Sequence, residues 1–169
     1  MGVGESVRRG FAIAKGSYIV KSDQDLIYKP GWDKACVDTL HYNKDKVEMV
    51  GCFKYQGGHP EADFDKSSPV DKGKYYIVND FVSSMFMIRK NFYNKFGEFP
   101  VGSEAFAEDV EYKTKMKKAG YKLALTKEDL IYNQGFGLGK STLFTPDSTE
   151  DKMKVVNINK KPLIFNEGA

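Results

Sequence analysis

The stretch that most constrains the fold is Tyr18-Ile19-Val20-Lys21-Ser22-Asp23-Gln24-Asp25. A short apolar run, of the kind that fills a buried parallel strand, ends abruptly in two carboxylates one residue apart. In an open α/β sheet, ligands bind at the carboxyl ends of the strands, so acids placed there face a cleft. Two acids at i and i+2 can both reach one hard cation, and a cation so held can bind a diphosphate. An acidic turn after a strand uses the same residues without any ligand, because Asp is common in turns.

The chain around this stretch alternates helix and strand. Val3, Val7, Phe11 and Ala14 stand at helical spacing, which predicts an amphipathic helix over 3–15 stopped at Gly16 and feeding a strand over 17–22. Pro30-Gly31 breaks the chain, and Trp32, Ala35, Cys36 and Leu40 predict a helix to about Tyr42. A strand is expected over 47–55, with Val47, Met49, Phe53 and Tyr55 on one face. Residues 56–74 are rich in Gly, Pro and Ser and read as a long loop. Tyr75, Tyr76 and Ile77 then lead to a third strand over 81–88, and residues 91–96 form a short helical turn ended by Gly97. A helix from Phe106 or Ala107 to Ala119-Gly120 opens on Glu108, Asp109 and Glu111 and closes on Lys115, Lys117 and Lys118, a polarity that suits the helix dipole. A strand over 122–126, a Gly-rich loop over 135–140 and a short helix from Ser148 or Thr149 through Val156 complete the reading.

Composition narrows the class. A chain of 169 residues that is 41% hydrophobic can bury a core as one domain. The 26 Lys and Arg against 23 Asp and Glu are scattered, so nothing calls for nucleic acid. Cys36 and Cys52 lie far apart without a Cys-x-x-Cys or a nearby His, which predicts reduced, packed thiols and no zinc. His41 and His59 read as surface residues. No apolar run approaches transmembrane length and no signal peptide opens the chain, so the expectation is a cytoplasmic protein without a transmembrane segment.

The order helix, strand, Asp-x-Asp, Pro-Gly-Trp helix, strand, long loop, strand with Arg89, Gly97-Glu98-Phe99, Glu108-Asp109 and Ala119-Gly120-Tyr121 resembles the second half of a family 2, GT-A type glycosyltransferase. Residues 10–25 are similar to that family's run into its metal-binding motif. Residues 95–121 are similar to its acceptor-side segment, which galactosyltransferases with a related C-terminal half share. The resemblance implies a partial GT-A fold over residues 1–144: a mixed central sheet flanked by helices, lacking the first nucleotide-binding strands, with 145–169 as a C-terminal extension. It also implies a fragment of a longer protein, a remaining half that comes from another chain, or a reduced relative, and exposed strand edges where the missing strands belong would favour self-association.

The resemblance further implies roles. Asp23 and Asp25 would hold Mn²⁺ or Mg²⁺, Asp25 as the direct ligand and Asp23 nearer the ribose or a metal-bound water. The family's usual metal-binding His has Asn133 at the matching position, which offers one carbonyl oxygen. Of the pair Glu108-Asp109, Asp109 would be the general base that deprotonates an acceptor hydroxyl, giving inversion. The neighbouring carboxylates at 108, 109 and 111 should raise one another's proton affinity. The same acids stabilise a helix start without any catalysis. The implied partners are a nucleotide-sugar donor and a glycan, lipid or protein acceptor.

Two other patterns stand apart. Gly139-Lys140-Ser141 has the end of a P-loop, but Gln134 stands where its first Gly belongs and Pro146 follows too soon for a phosphate-binding helix. A Gly-rich loop closing over the donor with Lys140 near the diphosphate fits these residues better, as does a plain surface loop. Among the aromatics, Trp32, Tyr75 and Tyr76 are candidates for a sugar-stacking platform, although strand and helix periodicity also places such residues in a core. The expected activity is an inverting, metal-dependent glycosyltransferase; the alternative is a non-catalytic binding module of the same fold.

Overall fold

A computed structural model describes residues 3–24, 26–42, 45–52, 69–81, 83–101, 107–128 and 130–133. The elements in chain order are α1 (Val3–Ile13), β1 (Tyr18–Ser22), β2 (Leu26–Tyr28), α2 (Trp32–His41), β3 (Val47–Gly51), β4 (Val70–Asp71), β5 (Tyr75–Val78), β6 (Met85–Arg89), α3 (Lys90–Phe96), α4 (Ala107–Lys118), β7 (Lys122–Thr126) and β8 (Ile131–Asn133). Six strands form one sheet in the order β1-β6-β3-β7-β5-β4, and β2 pairs with β8 in a second, two-stranded sheet. The large sheet is mixed. β3 and β7 run parallel, while β6 is antiparallel to both β1 and β3. The run before Asp23 is therefore not held between parallel neighbours: β1 ends the described sheet and pairs with antiparallel β6.

Strict alternation in β6 and β7 divides the core in two. Phe86, Ile88, Leu123 and Leu125 face one side, with Phe11 of α1, Phe92 and Tyr93 of α3, and Tyr112 and Met116 of α4. Met85, Met87 and Ala124 face the other, with Cys36 and Leu40 of α2 and Ile131 of β8. Both cysteines are free and fully buried on that second side, as expected of thiols packed as small hydrophobes.

The helices follow from local signals. α2 starts after Pro30 at Gly31, whose φ of 87° is a left-handed conformation that glycine adopts without strain. Trp32, Cys36 and Leu40 then repeat every fourth residue along its inner stripe. α3 stops at Gly97, whose N–H bonds the Tyr93 carbonyl.

Four expectations need correction. Val47 and Met49 do not share a face, because the register shifts between them; Val47 joins Val50 on the α2 side while Met49 joins the other. The strand expected over 81–88 begins only at Met85, as β6, since Asp80 accepts the Phe81 N–H at 2.8 Å in a local turn and Ser83-Ser84 precede β6. The expected loop over 56–74 contains β4, which pairs with β5. β2 and β8 were not foreseen, because three residues are too few to show a period. The expectations for Phe53, Tyr55, His59, the loop over 135–140 and the region 145–169 lie outside the described residues.

Candidate active site

The carboxyl ends of β1, β3 and β7 and the start of β6 lie at one end of the sheet, because β6 runs opposite to its neighbours. β1 delivers Asp23 there, and its N–H donates to the Ser84 carbonyl at 2.8 Å. Lys21 Nζ stands 2.5 Å from Asp23 Oδ1 and donates to the Ser83 carbonyl at 2.7 Å. Ser83 Oγ is buried with no hydrogen-bond partner among the described residues. Asp25 lies outside the described residues, as does Lys140. Leu26 is in register opposite Asn133 across the β2–β8 pair.

The aromatic wall of this end was only partly foreseen. Tyr28 and Trp32, both half-buried, have ring centroids 4.4 Å apart at a tilt of 48°. The Tyr28 hydroxyl donates to Ser22 Oγ at 2.5 Å. Burial above all raises the Tyr28 phenol above its ordinary range despite that bond, with Cys52, Asp23 and Cys36 adding smaller contributions. Tyr28 was missed, although its place four residues before Trp32 was the available signal. Tyr75 is buried in the α2-side core, where its hydroxyl donates to Asp45 Oδ2 at 3.0 Å. Tyr76 is half-buried, with Lys127 Nζ 4.6 Å from its ring centroid.

The second acidic cluster belongs to α4. Asp109 Oδ2 lies 3.4 Å from Lys113 Nζ, one turn further along the helix. Lys113 Nζ also stands 2.5 Å from Asp80 Oδ1 and donates to the Phe81 carbonyl at 2.8 Å. The charge beside Asp109 is thus a cation, where the sequence suggested only like-charged neighbours. Of the Glu108 side chain nothing is described. The two clusters share an anchor: Lys21 holds the carbonyl of Ser83 and Lys113 that of Phe81, two residues apart and so at most about 7 Å along the chain. The Phe81 ring packs where Gly51 leaves room for it; a Cβ at Gly51 would lie 2.8 Å from that ring.

A model of glycosyl transferase family 2 matches residues 1–97, which is more than half of the chain. The chain belongs to that family. Its mixed sheet of six strands flanked by four helices is a partial GT-A fold. The match ends before α4 and shows no likeness of residues 95–121 to galactosyltransferases. No curated protein matches the chain. A family 2 glycosyltransferase domain acts in general on a nucleotide-sugar donor and an acceptor.

A divalent cation is what this family domain invites at Asp23 and Asp25. Among the described residues there is no group of three or more His, Cys, Asp or Glu that would hold a metal. Asp23 supplies a carboxylate oxygen at the end of β1, the donor type a hard ion takes, and Asn133 stands in the register position opposite Leu26. Two further clefts, of about 270 and 510 Å³, lie at the opposite end of the sheet around Arg89 and Asn91, and neither is lined by Asp23 or Asp109. Among the described residues no helix is long and apolar enough to cross a membrane.

Proposed function

We propose that this domain transfers a sugar from a nucleotide-sugar donor to the hydroxyl of a glycan, lipid or protein acceptor, with inversion at the anomeric carbon. The observation that carries this reading is the shared anchor, in which the clusters of Asp23 and Asp109 are tied to the carbonyls of Ser83 and Phe81 at the carboxyl end of the sheet. A donor held on the β1 side and an acceptor held on the α4 side would then meet over that segment.

Asp23 and Asp25, with the Asn133 carbonyl, would hold Mn²⁺ or Mg²⁺, whose charge stabilises the departing nucleoside diphosphate. Asp25 is the direct ligand in this reading and Asp23 lies nearer the ribose. Lys140 would neutralise the diphosphate from the Gly-rich loop. On the acceptor side, Asp109 takes the hydroxyl proton as the acceptor oxygen bonds to the anomeric carbon and the bond to the diphosphate oxygen breaks. Glu108 precedes it at the helix start. Trp32, packed on Tyr28, offers an aromatic face near the donor side.

Asp109→Asn is expected to lower transfer about 10²–10⁴-fold, the usual worth of a positioned acid or base, and Asp25→Asn to lower it by loosening the hold on the metal. The readout is release of nucleoside diphosphate from a panel of UDP- and GDP-sugars in the presence of simple glycoside acceptors. Near-normal turnover in both variants would reject the assignment. One observation favours a second reading, a non-catalytic module of this fold: Lys21 already neutralises Asp23 at 2.5 Å, as an ion pair without a metal would. Calorimetry with UDP and Mn²⁺ separates the two, since that reading predicts no heat of binding with or without the metal.

A further inference from the structure

We infer that Lys113 is a positioning residue on the acceptor side, a single buried ammonium that holds Asp109 and Asp80 together as a pair. The inference rests on the reading of Asp109 as the base.

The Lys113 side chain is 4% exposed, and lysine is almost never buried to that extent unless paired. Its ammonium has three hydrogens, and three acceptors surround it: Asp80 Oδ1, the Phe81 carbonyl and Asp109 Oδ2. Two of these come from the connection between β5 and β6 and one from α4, so the nitrogen joins two elements. Lys117, one turn on, repeats the link by donating to the Asn79 carbonyl at 3.0 Å. α4 is thereby fixed over residues 79–81, and the Phe81 ring closes the other side of the ammonium, its centroid 5.4 Å away. Among the described residues the charged side chains in contact with Lys113 are Asp80, from the connection, and Asp109, from its own helix; α3 meets α4 through the Phe96 and Gly97 carbonyls, which accept from Lys115 and Tyr112.

Packing alone does not call for this arrangement. An apolar side chain of similar volume fills such a space without desolvating a charge. What lysine adds is a fixed direction for two carboxylates. Asp80 uses Oδ1 for both Lys113 and the Phe81 N–H, which leaves Oδ2 without a partner among the described residues and the side chain 41% exposed. That oxygen is placed to accept a hydrogen bond from a second hydroxyl of the acceptor while Asp109 takes the proton of the first. An acceptor with neighbouring hydroxyls, as on a sugar ring, matches a carboxylate pair held in this way.

The test compares full-length Lys113→Met, Lys113→Arg, Asp80→Asn and Asp109→Asn by steady-state transfer, with the thermal midpoint of each recorded. Lys113→Met is expected to lower kcat about 10–100-fold, the effect of a misplaced catalytic group, with the donor KM within threefold of wild type. Lys113→Arg should recover most of that loss. Asp80→Asn keeps an oxygen for the Phe81 N–H and is half-exposed, so it folds; it should raise the acceptor KM and lower kcat several-fold. Unchanged kcat in both Lys113→Met and Asp80→Asn, or a loss that Arg fails to recover and that appears equally in the donor KM, overturns the inference. Near-normal turnover in Asp109→Asn instead overturns the assignment of the base, and is seen independently of the lysine variants.

Discussion

Tyr75 and Asp45 show how a single contact far from the carboxylates sets a measurable property. Burial first, and then the hydrogen bond to Asp45, push the Tyr75 phenol from 10.0 up to about 12. The fold thus favours the neutral phenol. Its contribution to stability is whole below the ordinary value of 10.0 and is lost as the pH rises through about 12. Urea midpoints measured at intervals from pH 9 to 12 should fall for the wild type and fall less steeply for Tyr75→Phe. Some slope will persist, because burial also raises Tyr112 and Tyr93. Parallel slopes for the two proteins would show that Tyr75 does not titrate as the contact requires. At this same scale the sequence was uneven. Asp23 and Asp109 stood out because acids at a strand end or helix start form a readable pattern. Lys113 did not, because its burial depends on residues 79–81, more than thirty positions away. Only the i, i+4 spacing from Asp109 hinted at the pair.

At the scale of elements, the close approach of β3, β7 and the segment before β6 turns on Gly51. A methyl group there would stand 2.8 Å from the Phe81 ring and 3.1 Å from Leu125 Cδ2, tighter than packed side chains tolerate. Gly51→Ala is expected to lower stability by about 1–3 kcal/mol, the usual cost of overpacking. Because Phe81 also supplies the carbonyl held by Lys113, the variant should disturb the α4 cluster as well. Adding Phe81→Leu to Gly51→Ala should then cost less than the sum of the single changes, as expected of residues in contact. Strict additivity in urea unfolding would count against the steric account. Elements with a strong period were legible: α1 from Val7 and Phe11, α2 from Trp32, Cys36 and Leu40, and β7 from residues 122–126. β2, β8 and β4, each of two or three residues, were not, since they exist through pairing with distant strands rather than through their own pattern.

Across the whole molecule, one sheet separates two cores, and the single tryptophan reports on only one of them. Trp32 packs against the α2-side cluster, whereas Phe86 is fully buried on the opposite face, edge-on to Phe11 at 6.1 Å and stacked with Phe99 at 5.9 Å. The faces communicate through the backbone of β6, where Phe86 lies between Met85 and Met87 of the other side. Loss of β6 removes the partner of β1 among the described strands and one of the two partners of β3, and it takes Phe86 and Ile88 from one core and Met85 and Met87 from the other, so both cores lose stability with it. Phe86→Ala should therefore cost about 3–5 kcal/mol. It should also move the Trp32 fluorescence transition by as much as the circular dichroism transition, although no atom near the indole has changed. A Trp32 midpoint that stays at the wild-type denaturant concentration while the dichroism midpoint falls would mean that the α2 side, with β2 and β8, unfolds as a unit of its own. The two acidic clusters would then stay together on the β6 side, because Asp23 follows β1 and the Phe81 and Ser83 carbonyls that anchor them precede β6.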